Sequence, residues 1–219
     1  MRTRLALALL VSIAAAARAQ STGSLAGQVQ IAGADDRPAH ADGPVVVFVE
    51  DLRVPFTPPA PLEIRQRGKQ FHPQFLLVPQ GGTVSFPNDD AVDHNVFSLS
   101  PVTPFDLGYY RSGVSKQVHF DRPGAVRVYC NIHSSMIADL LVLSNPYYAL
   151  AGADGRYQVD NVPGGPHSVR AWFARGPSAG KTVTVPAGGR AQADFRLQAT
   201  VATGHENKHG EPYIIDYGQ

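Results

Sequence analysis

Residues 125–143 read AVRVYCNIHSSMIADLLVL. Val126 and Val128 alternate up to Cys130, and a second apolar run opens at Met136, with Leu141 and Leu143 on one face. Period-two runs of this length are strands. The stretch therefore predicts two strands joined by a tight loop, and the loop holds the only cysteine of the chain. His133 follows Cys130 by three positions and Met136 by six, a C-x2-H-x2-M spacing.

One cysteine makes no internal disulfide. In an oxidising compartment a free thiol invites mixed disulfides and oxidation. It is tolerable when deeply buried, or when a metal holds it as a thiolate. Thiolate, imidazole and a weak thioether suit copper and permit cycling between Cu(I) and Cu(II). Zinc prefers four strong ligands, and a thioether is a poor fourth. A second imidazole is needed, and the best candidate is His94 in DHNVFS, at the end of an earlier strand region. A buried core cysteine beside an exposed histidine is the alternative, and it leaves all four residue choices unexplained.

The compartment is read from the N-terminus, MRTRLALALLVSIAAAARAQ. Arg2 and Arg4 precede a short apolar run, and Ala17-Arg18-Ala19 is an A-x-A cleavage pattern. Residues 1–19 are expected to be a cleaved secretory signal, which implies a periplasmic protein with no membrane span. The chain carries 19 Lys+Arg against 18 Asp+Glu. That balance gives no electrostatic footprint for nucleic acid.

Outward from the loop, short strands and turns fill the chain. GGTVSFPNDD and SKQVHFDRPG alternate and stop at turns, as HNVFSLS does more briefly. GSLAGQVQIAG and GPVVVFVEDL precede them as two further strands, separated from them by the proline-rich VPFTPPAPLEI. ADGRYQVDNVPGG, HSVRAWF and KTVTVPAGGRAQADFRL supply more strands after Pro146. An all-β fold built of antiparallel sandwiches follows from this spacing.

Residues 65–146 resemble the cupredoxins, in the plastocyanin and amicyanin branch. The matching pieces are FHPQFLLVPQGGTVSFPNDDAVDHNVFS and FDRPGAVRVYCNIHSSM. The resemblance implies a Greek-key sandwich holding one type 1 copper per chain on His94, Cys130, His133 and Met136. It also implies that Asn95 ties the two ligand loops together by hydrogen bonds. His133 would be the electron port, with Ile132 and Ile137 beside it as an apolar docking surface. The loop departs from amicyanin in lacking proline beside the second histidine, where Ile132 and Ser134 stand. The whole chain is similar to larger periplasmic proteins of the methylamine-utilisation or plastocyanin-like type.

ADGRYQVDNVPGGPHSVRAWF and TVTVPAGGRAQADFRL resemble the carboxypeptidase regulatory-like sandwiches, related in shape to transthyretin. That family begins with a G-x-V strand and an apolar strand such as PVVVFVEDL, and here both precede the copper region. Residues 20–59 and 147–198 are thus expected to form one discontinuous sandwich, with the cupredoxin inserted. A plain tandem is the alternative. Residues 199–219 are expected to be a polar, solvated tail. There His205 and His209 could bind only stray metal. His72, His119 and His167 are expected at the surface.

The expected function is single-electron transfer between periplasmic redox proteins, such as c-type cytochromes or a dehydrogenase, rather than catalysis. The chain has neither the several His-x-His pairs of a multicopper oxidase nor the C-x3-C of a dinuclear copper centre. A copper buffer or chaperone is a second reading, although methionine is scarce. A scaffold with structural copper is a third.

Overall fold

The computed structural model describes residues 21–41, 43–58, 61–200, 207–211 and 213. The expected export signal and His205 lie outside the described residues. No helix occurs among the described residues, and none therefore is long and apolar enough to cross a membrane.

The chain opens with β1 (Thr22–Ala32), β2 (Pro38–Ala39) and β3 (Val46–Val49). The middle holds β4 (Arg65–Gln66), β5 (Phe71–His72), β6 (Phe75–Pro79), β7 (Gly82–Pro87) and β8 (His94–Ser98). It continues through β9 (Phe105–Tyr110), β10 (Ser115–Phe120), β11 (Gly124–Cys130) and β12 (Ile137–Leu143). The last third holds β13 (Tyr148–Leu150), β14 (Arg156–Pro163), β15 (Gly165–Trp172), β16 (Ala179–Val185), β17 (Arg190–Gln192) and β18 (Phe195–Gln198).

The middle strands form a sheet of order β6-β12-β11-β8-β9, faced by the β10-β7 pair. Alternation explains the layering. Val84 and Phe86 on one side, and Val96, Val128 and Leu140 on the other, turn into one buried core. Ile64 joins that core. Its N–H donates to Ser85 O, and Ser85 N–H donates to Leu62 O, both at 2.9 Å. The unit thus begins a few residues before the expected Arg65.

The first and last strands pair with each other. β1 runs antiparallel to β14 and parallel to β17 and β18. β3 lies between β13 and β15, with β16 beyond. Leu25, Val29, Val47 and Val49 share a core with Val159, Val169, Phe195 and Leu197. Gly27 is required by close approach, since a Cβ there would stand 1.9 Å from the Ala193 carbonyl oxygen. The backbones are locked at that point by Ala193 N–H donating to Ala26 O at 2.8 Å.

The two units touch through Val46, Leu141, Leu143 and Trp172, where Phe75 stacks on Trp172 at 5.8 Å. Arg127 pairs with Asp139 at 2.7 Å and also donates to Ala174 O across the contact. The two chain crossings lie side by side. Val49 N–H donates to Tyr147 O at 3.0 Å, and buried Asn145 donates through Nδ2 to Val49 O at 2.8 Å and Leu52 O at 3.0 Å.

His167 corrects its expectation. It is buried, not at the surface, between Asp51 Oδ2 at 3.1 Å and Pro163 O at 2.8 Å. The early strand region returns Asp51 to it, a contact invisible in the local sequence. His72 and His119 are exposed, as expected.

Candidate metal centre

β8 and β11 are neighbours, with Cys130 opposite Val96. His94 opens β8, Cys130 closes β11, and Met136 stands immediately before β12. The intervening loop is tied at both ends. Cys130 N–H donates to Met136 O at 3.2 Å, Met136 N–H to His133 O at 3.1 Å, and Asn131 N–H to Asn95 O at 3.0 Å.

These ties bring the donors together. Cys130 Sγ lies 3.7 Å from His94 Nδ1 and 3.7 Å from His133 Nδ1. All three donor atoms fall within 4.8 Å of one another, and all three residues are buried. Met136 is fully buried in the same core. An ion about 2.0 Å from nitrogen and about 2.3 Å from sulfur separates them by about 3.7 Å at trigonal angles. The two sulfur–nitrogen spacings therefore fit one ion.

Hydrogen bonds set the protonation states. His94 Nε2 faces Asp90 Oδ2 at 2.8 Å. A proton held at Nε2 leaves the Nδ1 lone pair aimed at Cys130. Asp90 is itself fixed by the N–H groups of Gly68 at 2.5 Å and Lys69 at 2.9 Å. Burial pushes the Asp90 carboxyl up, but these donors and His94 hold it below its ordinary range. Burial likewise raises the Cys130 thiol, yet His94 and the backbone N–H groups of Asn95, Ile132 and His133 outweigh it, and the thiol ends lowered. A pocket that eases ionisation of the thiol suits a cation.

Asn95 ties the two loops through its backbone carbonyl, while its side chain turns away and donates to Asp106 Oδ1 at 2.6 Å. Burial raises the Asp106 carboxyl, but Lys208, Asn95 and the Gly108 N–H bring it down to about 2. Ile132 is exposed. Ile137 is half-buried and lines a cleft with Phe75, Trp172 and Arg175. Ile137 is thus less exposed than Ile132, because the second unit approaches that face of β12.

Asp90 was hidden in the acidic run NDDAVD; only the fold of the Gly68–Lys69 turn selects it from its neighbours. Replacing Asp90 by alanine frees the His94 ring and strands two amides. Affinity for the metal should fall by roughly 10–100-fold, the range typical when such partners are lost. Competition against a chelator checks this, and an unchanged affinity would mean that packing alone orients the ring.

Comparison with protein-family models and with curated proteins yields no match. Among solved structures the chain is similar in part to a purple cupredoxin from Nitrosopumilus maritimus. Identity is 24% and the TM-score 0.34, over 36% of this chain and 97% of that one. It is similar to a Cu-containing nitrite reductase from Thermus scotoductus at 24% identity and a TM-score of 0.37, over 42% of this chain and 26% of the reductase. A variant of amicyanin in its reduced Cu(I) form gives 18% identity and a TM-score of 0.36, over 44% of this chain and 97% of that one. The donor set itself is what points to a metal class. Two imidazoles and one thiol, all buried, with a thioether buried in the same core, match copper better than zinc or a hard cation.

Proposed function

We propose that this protein is a type 1 copper protein carrying single electrons between periplasmic redox partners. The observation that supports this reading is the buried trio His94 Nδ1, Cys130 Sγ and His133 Nδ1, with Met136 buried in the same core. Copper bound there would accept and release one electron by cycling between Cu(I) and Cu(II).

The protein's own residues do the rest. β8 and β11 hold His94 and Cys130 on one sheet, and the hydrogen-bonded loop holds His133, so little rearrangement would accompany a change of charge. Backbone N–H groups at Cys130 steady the negative sulfur in both states. The all-round burial excludes water and competing ligands, which favours a carrier over a catalyst needing an open position. His133 sits beside exposed Ile132 in the loop, and we assign electron exit to that edge. Export through the 1–19 signal would deliver the chain to partners such as c-type cytochromes or a dehydrogenase.

Titration of the metal-free protein with Cu(II) tests the reading. One equivalent per chain should develop an intense visible thiolate-to-copper band, and a one-electron reductant should bleach it reversibly. Binding without such a band, or zinc outcompeting copper at equal concentration, would overturn it.

A further inference from the structure

The sequence marks the C-terminal residues as a solvated tail; His209, Gly210 and Glu211 are exposed, while Asn207, Lys208 and Tyr213 are half-buried. Asn207 to Glu211 form a compact turn. Asn207 N–H donates to Glu211 O at 2.8 Å, Gly210 N–H to Asn207 O at 3.0 Å, and Asn207 Oδ1 accepts from His209 N–H at 2.8 Å. Gly210 has φ 78°, which closes the turn at little cost for glycine.

This turn is fastened to the ligand loop and to β9, the neighbour of β8. Lys208 N–H donates to Asn131 Oδ1 at 2.9 Å, inside the ligand loop. Lys208 Nζ donates to Asp106 Oδ2 at 2.7 Å, and the other oxygen of Asp106 holds the side chain of Asn95 next to His94. The same ammonium lies 5.7 Å from the centre of the Tyr109 ring. Further on, Tyr213 Oη donates to the carbonyl oxygen of Cys130 at 2.7 Å.

We propose that Lys208 and Tyr213 are positioning residues of the metal centre, and that they strap the Cys130 carbonyl and the Asn131 side chain to Asp106 of β9, and through it to Asn95 of β8. Both backbone polar groups of Cys130 are then fixed, its N–H by Met136 O and its C=O by Tyr213. The redox half of this proposal rests on the copper reading above. The reduced site carries one more negative charge than the oxidised site. A hydroxyl dipole on the Cys130 carbonyl favours that state, whereas the Lys208 ammonium is balanced by Asp106 and serves to position. The strap should therefore raise the reduction potential as well as stiffen the loop.

Tyr213→Phe keeps the ring and removes only the donor. In the metal-free protein, amide hydrogen exchange at Asn131, Ile132 and Met136 should quicken by about three- to tenfold, the scale of one hydrogen bond. Lys208→Gln should quicken Asn131 similarly, and Lys208→Arg should restore it. In the copper-loaded protein, Tyr213→Phe should lower the reduction potential while the visible band persists. The exchange arm needs no metal, so a protein that fails to load copper defeats the copper reading and leaves the strap to be decided by exchange alone. Unchanged exchange in Tyr213→Phe overturns the strap, and an unchanged potential despite faster exchange overturns its redox role.

Discussion

Replacing Cys130 by serine is expected to abolish the visible band entirely and to weaken copper binding by more than the roughly 10–100-fold typical of outer partners. A hydroxyl is not ionised at neutral pH and supplies no sulfur orbital for the charge-transfer band. The two imidazoles and a buried thioether remain, so residual binding without colour is the anticipated result. The fold should survive. Serine is close in size, and the N–H groups of Asn95, Ile132 and His133 that support the thiol can support an oxygen. Near-identical melting of the two metal-free proteins is the control. Retention of the band in Cys130→Ser would mean that copper sits elsewhere.

Deleting residues 21–50 should unfold the C-terminal third and leave the copper spectrum standing. The deletion removes β1, the hub on which β14, β17 and β18 pair, and β3, which lies between β13 and β15. Leu25, Val29, Ile31, Val45, Val47 and Val49 leave that core with them. At about 1.5–3 kcal/mol for each buried apolar side chain, the loss is about 9–18 kcal/mol. That matches or exceeds the 5–15 kcal/mol by which whole domains are stable. The core around the metal draws on Ile64 to Val142 and uses none of the deleted residues. Loss of sheet signal in circular dichroism with a persistent blue band checks this. A stably folded fragment starting at Tyr147 would instead indicate a plain tandem.

Several strands were readable because their alternation is clean. AVRVYC became β11, GGTVSFP became β7, SKQVHF became β10, and HSVRAW became most of β15. The spacing of Cys130, His133 and Met136 was local and so could be seen, and His94 was reached from the need for a second imidazole, although it opens β8 rather than ending a strand. β9 was not read. Gly108 sits in its middle at φ 64°, and its partner β8 slips register between Asn95 and Phe97, which blurs the period. Tyr110 is nevertheless buried there, its hydroxyl donating to Phe86 O at 3.0 Å. Asp90, Asp106, Lys208 and Tyr213 were missed for another reason. Hydropathy registers apolar burial, whereas each of these acts through one or two polar atoms reaching a distant backbone or side-chain group.

The side-by-side crossings at Val49 and Tyr147 bear on how the molecule is made. During synthesis the first two strands emerge long before their partners. They must wait while about a hundred residues follow, and closing a flexible loop of that length carries an entropic term of roughly 4 kcal/mol. An intervening segment that has already folded, with its ends held at one spot by Asn145, removes that term. Maturation then acquires a direction: the inner unit condenses first, and the outer one closes around its neck like a purse drawn shut on a finished content.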